Sequence, residues 1–248
     1  MLVFLFLRRR VWHIRHHWTG HLATLLLFPL ALYFTLEMSM GTWLHTEMSG
    51  ITDDWLFPGL LFIIALLAGI LPLWSDLQRS ISTGFVDNLA ASPNGSFLIV
   101  ISLIASSAFE ILFRTLGGMI ILIILVGHLP DILPLLGTLM FAVVVGILGS
   151  SLVCLWLLTG HRRSSHFFGL FTVILFIIFS SGWLIPIMVY PANLASILSW
   201  LPTSQLMTAG RSLFLEGSLS DWSWLLVIIE IAILVILSAS QFRKVRSR

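Results

Sequence analysis

The chain has 248 residues, 58% of them hydrophobic and only 10% charged, with a formal net charge of +2 and a mean hydropathy of +1.04. Soluble domains carry roughly 25% charged residues, so this composition excludes a soluble domain and predicts an all-α polytopic membrane protein. The apolar runs are long and continuous rather than alternating over about ten residues, which argues against a barrel, and the lone Cys154 leaves no intrachain disulfide framework and no cysteine metal cluster.

Residues 1–21 read as an interfacial N-terminal helix. Leu2–Leu7 enters the headgroup region, and Arg8, Arg9, Arg10 and Arg15 suit anionic lipid. The apolar part precedes the positive charges and is short, so it is not expected to act as a secretion signal. Leu22–Trp43 is the first predicted span, carrying Pro29 and Glu37, and Leu44–Asp54 is a polar loop. Trp55–Trp74 is the second span, followed by a polar segment, residues 75–95, too long for a tight turn. Phe97–Val126 has about 30 residues where roughly 20 suffice to cross a bilayer, so it must tilt, protrude or break. Ile132–Leu158 is the fourth span, Gly160–His166 a basic loop, Phe167–Ile185 the fifth span, Trp222–Ser240 the sixth, and Arg243–Arg248 a basic tail.

Residues 186–221, between the fifth and sixth spans, stay largely apolar without offering a clean crossing. Pro186, Pro191 and Pro202 interrupt helices there, because proline lacks a donor N–H and restricts the residue before it. Leu194, Ile197, Leu198 and Leu201 fall at i, i+3, i+4, i+7, and Leu206, Met207, Gly210, Leu213 and Phe214 repeat the spacing. Helices this short and one-sided lie in an interface or re-enter from one side rather than crossing about 30 Å of hydrocarbon.

Basic residues set the expected orientation. With the N-terminus inside, eleven of the thirteen lysines and arginines lie on inner segments: Arg8, Arg9, Arg10, Arg15, Arg79, Arg162, Arg163 and the four of the tail. Arg211 then lies outside and Arg114 within the third span. The expectation is six spans with both termini cytoplasmic, and residues 186–221 on the external face. Trp183, Tyr190, Trp200, Trp222 and Trp224 would form the outer aromatic belt. There is no internal repeat, so inverted-repeat carriers gain no support.

Within residues 75–95, Leu77, Ile81, Phe85 and Leu89 recur at steps of four, with Arg79, Ser82 and Asp87 off that stripe, and Ser92-Pro93-Asn94-Gly95 stops the pattern. Three readings fit a short amphipathic helix over Asp76–Ser92. It lies on lipid, packs on the bundle, or docks into a groove on a soluble partner.

Several motifs resemble the permease subunits of type-2 ATP-binding-cassette exporters. Phe57-Pro58-Gly59-Leu60 is similar to that family's "PG" at the start of span two, and Gly84-Phe85-Val86-Asp87-Asn88-Leu89 through Ser92-Pro93 to its first-cytoplasmic-loop pattern. Ser181-Gly182, Pro186 and Pro191 resemble the end of span five. Leu201-Pro202 through Arg211 resembles an "N-P-(x)n-R" signature, with leucine where asparagine is commoner. The Gly84-Phe85 pattern looks closer to the drug and nodulation-factor branch than to the polysaccharide branch. The resemblance implies a transport subunit, not an enzyme, paired with a second permease copy, identical or homologous, and two ATPase subunits. ATP and Mg would bind the partner, in keeping with the absence of a G-x-x-x-x-G-K-[ST] loop from the chain. Asp76, Leu77, Arg79, Ile81, Gly84, Phe85, Asp87 and Leu89 would form the coupling helix. Pro186, Pro191, Leu198, Pro202, Arg211 and Leu213 would form an external gate. The expected location is the cell membrane.

Ionisable groups within spans form the remaining candidates. Glu110 and Arg114 stand at i, i+4 and pair on one helix face, either as a polar point of the translocation path or as a self-neutralised pair between helices. Glu37 and Glu230 sit in the outer halves of the first and sixth spans, where a proton-coupled carrier would want carboxylates. His13, His17 and His21 share one helix face, but with no carboxylate nearby in sequence an interfacial face is the favoured reading over a metal site. Ser150-Ser151, Ser164-Ser165 and Ser180-Ser181 lack the company of an H-E-x-x-H or G-x-S-x-G motif and read as helix-packing positions. Arg211, with Glu216 and Asp221 following, clamps the external element onto a span or lines the exit, and clamping is the favoured reading. An exporter of an amphipathic, lipid-linked or drug-like substrate leads. A gradient-driven carrier using Glu37, Glu110 or Glu230, and an intramembrane enzyme, compete with it.

Overall fold

The computed structural model describes residues 2–16, 18–47, 52–84, 86, 95–127, 131–159, 165–219 and 222–246. Every regular element among them is helical: α1 (Leu2–His16), α2 (Trp18–Glu47), α3 (Thr52–Ser82), α4 (Ser96–Val126), α5 (Ile132–Thr159), α6 (Ser165–Ser180), a 3-10 turn (Ile187–Val189), α7 (Ala192–Leu198), α8 (Pro202–Glu216) and α9 (Leu225–Arg246). Five helices, α2, α3, α4, α5 and α9, are long and apolar enough to cross a membrane, the architecture of a polytopic helical membrane protein. Helix α6 is apolar but has 16 residues, about 24 Å at 1.5 Å per residue.

The core is built on α3. Its apolar residues cover the whole circumference from Leu60 to Leu66, and a helix apolar all round is a buried one. Within its apolar window 83% of residues are buried, against 6% for α2. Helix α5 crosses α3 at backbone contact. A Cβ on Gly69 would overlap the Gly146 carbonyl, and one on Gly149 would sit 2.9 Å from the Leu66 carbonyl. Ser150 Oγ donates to the Gly69 carbonyl at 3.1 Å and lies 2.9 Å from Ser107 Oγ on α4. Small residues permit this approach where lipid supplies no hydrophobic drive between helices.

Contacts along the bundle define two ends. At one, Arg10 of α1, the last turns of α3 and Phe242 of α9 line a common cavity. At the other, Phe57 near the start of α3 stacks on Phe214 of α8, and Phe141 of α5 meets Trp224 just before α9. Helix α6 begins near Trp156, late in α5, and leads into Trp183, which abuts Gly59. It therefore travels from the α1 end to the α8 end, and α2, α3, α4, α5, α6 and α9 alternate in direction.

The structure moves several expected boundaries. The second predicted span does not stop at Trp74. Helix α3 continues through Asp76, Leu77, Arg79 and Ile81 to Ser82, so no separate helix begins at Asp76. It ends because Gly84 adopts φ 71° while Thr83 and Gly84 N–H return to the Arg79 and Ile81 carbonyls. Helix α4 neither breaks nor stops short. Gly118 packs on Ile64, and Glu110 shares a cavity with Pro72, so the antiparallel pair places the extra length of α4 at the α1 end, beside the extension of α3. The fifth predicted span ends five residues early, at Ser180, because Gly182 turns left-handed at φ 72° and Pro186 follows. Helix α2 runs to Glu47 through Pro29 and so replaces the first part of the expected loop. Helix α9 starts at Leu225 and continues past Ser240.

The α3–α5 crossing yields a paired prediction. Gly69→Val drives a side chain into a fixed carbonyl, an overpacking expected to cost about 3 kcal/mol. Gly20→Ala in α2, where a Cβ meets nothing within 4 Å, should be neutral or stabilise by up to about 1 kcal/mol. Thermal unfolding in detergent measures both.

Candidate functional site

Two polar clusters stand out, one at each end of the bundle. At the α1 end, Glu110 is 4% exposed and lies midway along α4. Arg114, one turn on, donates to its Oε1 from Nε at 3.0 Å and from Nη2 at 2.7 Å. Arg10 of α1, itself 6% exposed, pairs through Nη1 with the other carboxylate oxygen, Oε2. Its second terminal nitrogen reaches Asp76 Oδ2 on α3 at 3.3 Å. One carboxylate thus joins α1 to α4, and one arginine joins both to α3. Two arginines balance two carboxylates, as burial of charge requires.

His21, at the start of α2, completes the cluster. Arg114 Nη2 lies 3.0 Å from its Nδ1. A guanidinium only donates, so Nδ1 accepts and His21 is neutral with its proton on Nε2. The 3.8 Å separation of His21 Nδ1 from Glu110 Oε1 is therefore proximity, not an ion pair. The sequence pattern alone places Arg10 and His21 at a lipid-facing or interfacial position. Arg10 instead turns inward because Glu110 offers it a buried countercharge. No sequence pattern separates Arg10 from its neighbours Arg8 and Arg9. His13 and His17, the other members of the histidine face, lie outside the described side chains, and no metal-binding group of three such residues occurs among the described ones.

At the α8 end, Arg211 is 7% exposed. It donates to the Gly182 carbonyl at 2.7 Å and the Trp183 carbonyl at 3.0 Å, and its guanidinium lies over the Trp55 ring at 3.3 Å from the centroid. These carbonyls belong to the turn that follows α6, so an arginine on α8 holds that turn in place, while the Phe179 and Ser180 carbonyls at the helix end accept from Tyr190 and Ser204. Gly59 makes room for this, since a Cβ there would overlap the Trp183 carbonyl. Ser181 Oγ and Thr203 Oγ1, 2.5 Å apart, fasten the start of α8 to the same point. Glu216 is exposed and is not the partner of Arg211; Asp221 lies outside the described residues.

The other candidates are dispersed. Leu77 is 3% exposed and belongs to the core, so it offers nothing to a docking partner, while Arg79 is exposed and Ile81 half-buried. Phe85, Asp87 and Leu89 lie outside the described residues. Pro186 is buried, Pro191 precedes α7, Pro202 opens α8, Leu198 is buried, and Leu213 packs against Gly137 of α5. Trp183 is fully buried rather than part of an interfacial belt, because the turn after α6 folds it under α8, where it meets Phe62 edge-on at 5.9 Å. Trp200 and Trp222 are exposed as a belt requires. Glu230 is half-buried on α9, and the Glu37 side chain lies outside the described residues. Trp55, which stacks on Arg211, gave no signal beyond its place at a span start.

A scan against protein-family models and searches of curated proteins and of solved structures find no match to this chain.

Glu110→Gln leaves Arg10 and Arg114 buried without a full countercharge, which should cost about 3–5 kcal/mol. It should also raise tryptic cleavage after Arg10, read by mass spectrometry. Unchanged cleavage would mean that α1 is held by other contacts. Arg211→Lys supplies a point charge where a planar fork bridges two carbonyls and covers a ring. We expect a loss of about 2 kcal/mol in chemical unfolding in detergent.

Proposed function

We propose that the chain is the membrane-spanning permease subunit of an ATP-driven exporter of amphipathic, lipid-linked or drug-like molecules, energised by a separate ATPase. The supporting observation is a convergence. Gly59, Gly182–Trp183 and Arg211 belong to three separate stretches that resemble the same exporter family. They meet within hydrogen-bond and backbone contact of one another. A resemblance spread over more than 150 residues of sequence thus corresponds to one packed junction.

In this reading the six alternating helices cross the membrane, both termini are cytoplasmic and α7 and α8 form the external element. The common end shared by α1 and the last turns of α9 supports an even number of crossings, and the eleven inner basic residues support the orientation. The ATPase would meet the segment beyond Gly84, since the stripe before it is built into α3. The junction at Arg211 joins the external element to both α3 and α6, so movement at the cytoplasmic end of α3 has a rigid route to it.

The experiment is capture of the tagged full-length protein from its native membrane. An ATPase carrying a phosphate loop should co-purify, and Phe85→Asp with Leu89→Asp should abolish its recovery. Recovery of no such ATPase, or recovery unaffected by the double substitution, overturns the reading. One observation favours a gradient-driven carrier instead: Glu230 Oε2 is buried with no hydrogen-bond partner among the described residues. The same preparation decides this. Export by a Glu230→Gln variant should persist with ATP, whereas transport that needs Glu230 and no ATPase would favour the carrier.

A further inference from the structure

A proline inside a helix has no N–H to return to the carbonyl four residues back, and in lipid that carbonyl needs another donor. Two such prolines bear on the same space. Pro29 in α2 takes the helical donor from the Leu25 carbonyl, and Pro72 in α3 takes it from the Ala68 carbonyl. Leu25, Pro29 and Ala68 all line a slot of about 80 Å³ between α2 and α3. Pro72 lines the neighbouring chamber of about 130 Å³ at the α1 end, and Arg114 borders both spaces. A helical carbonyl points along its helix toward the residue four positions on. The Leu25 carbonyl therefore lies on the slot wall, and the Ala68 carbonyl lies where slot and chamber adjoin.

The slot exists because α2 is seated closely on α4. A Cβ on Gly117 would sit 2.6 Å from the Leu25 side chain, and one on Gly118 would sit 3.7 Å from Pro29. The flank of α2 that faces α3 stands off, and its walls are hydrocarbon: Phe28, Ile64, Leu67 and Leu71. From Ile64 to Leu71 the α3 wall is about 10 Å long. The donors at its edge are already engaged. Thr24 Oγ1 donates to the Gly20 and His21 carbonyls, and Arg114 donates twice to Glu110. Two backbone acceptors at the edge of an apolar slot call for neutral donors on an apolar chain. A cation would meet the Arg114 guanidinium, and an anion would meet carbonyl oxygens. Water would leave the hydrocarbon walls unfilled, since apolar cavities stay dry.

We propose that the slot between α2 and α3 binds a single-chain lipid with an uncharged, hydroxyl-bearing head. The hydroxyls donate to the Leu25 and Ala68 carbonyls, and the chain lies along Phe28, Ile64 and Leu67. The lipid supplies the donors that Pro29 and Pro72 cannot. Binding needs no ATPase, so this site and the export reading fail independently.

The test uses the full-length protein in neutral detergent, with native mass spectrometry as the readout. Three probes are compared: monooleoylglycerol, methyl oleate, which has no donor, and oleoyl lysophosphatidic acid, which is anionic. Monooleoylglycerol should bind about tenfold or more tightly than either of the others, the worth of two hydrogen bonds. Pro29→Ala with Pro72→Ala returns an N–H to each carbonyl and should weaken monooleoylglycerol by about tenfold. Alanine is the better helix former, so circular dichroism should show no loss of helix. Equal retention of methyl oleate overturns hydroxyl recognition, and tighter binding of lysophosphatidic acid overturns the neutral head. An unaffected double variant overturns the role of the freed carbonyls. Retention of none of the probes overturns the site itself, and the probe comparison on the unaltered chain decides even where the double variant misfolds.

Discussion

A carboxylate taken out of water must meet positive charge, because the cost of stranding it amounts to several kcal/mol. Glu110 meets it twice, once from its own helix through Arg114 and once from α1 through Arg10. The arrangement of the α1 end follows. Arg10 can reach Glu110 only if α1 lies across α4, and once there its other nitrogen finds Asp76, which requires α3 to remain helical beyond Trp74. The long extensions of α3 and α4, unneeded for crossing a bilayer, serve as the platform on which α1 rests.

The α8 end solves a different problem by different means. Here the buried charge is a single arginine, and its partners are backbone carbonyls of the turn that follows α6, together with an aromatic face. Such acceptors are partial charges, so the match is less complete. The indole nitrogens of Trp55, Trp183 and Trp224, Gln205 Oε1 and Arg211 Nε are all buried at this end without hydrogen-bond partners in the described residues. Buried polar groups are normally satisfied. The end of a bundle that carries several unmet polar atoms gains most from the entry of water.

The helices themselves were legible because continuous apolar runs have few other ways to fold. Both short helices of the 186–221 region were legible from the same periodicity, and the buried face of α8 is the expected one: Leu206, Met207 and Gly210 are buried there. Arg211 was readable as a clamp, though not what it would hold, since backbone carbonyls have no signature in sequence. The end of α3 was misread because a stripe at steps of four describes a separate amphipathic helix and the continuation of a buried one equally well. Leu77 belongs to the latter. Arg10 was invisible for the opposite reason. Three adjacent arginines look alike until the fold provides an acid for one of them, and that acid comes 100 residues later.

That separation carries a consequence for how the protein is made. A chain emerging from the ribosome presents Arg10 long before Glu110 exists, so α1 has no buried countercharge while the first two apolar helices enter the membrane. Until α4 is made, α1 therefore lacks the buried contact that fixes it in the finished bundle. The turn after α6 likewise precedes its partner, Arg211, by 29 residues. Both ends of the bundle are therefore closed by late arrivals, and a chain truncated before α8 would keep the first junction while lacking the arginine of the second.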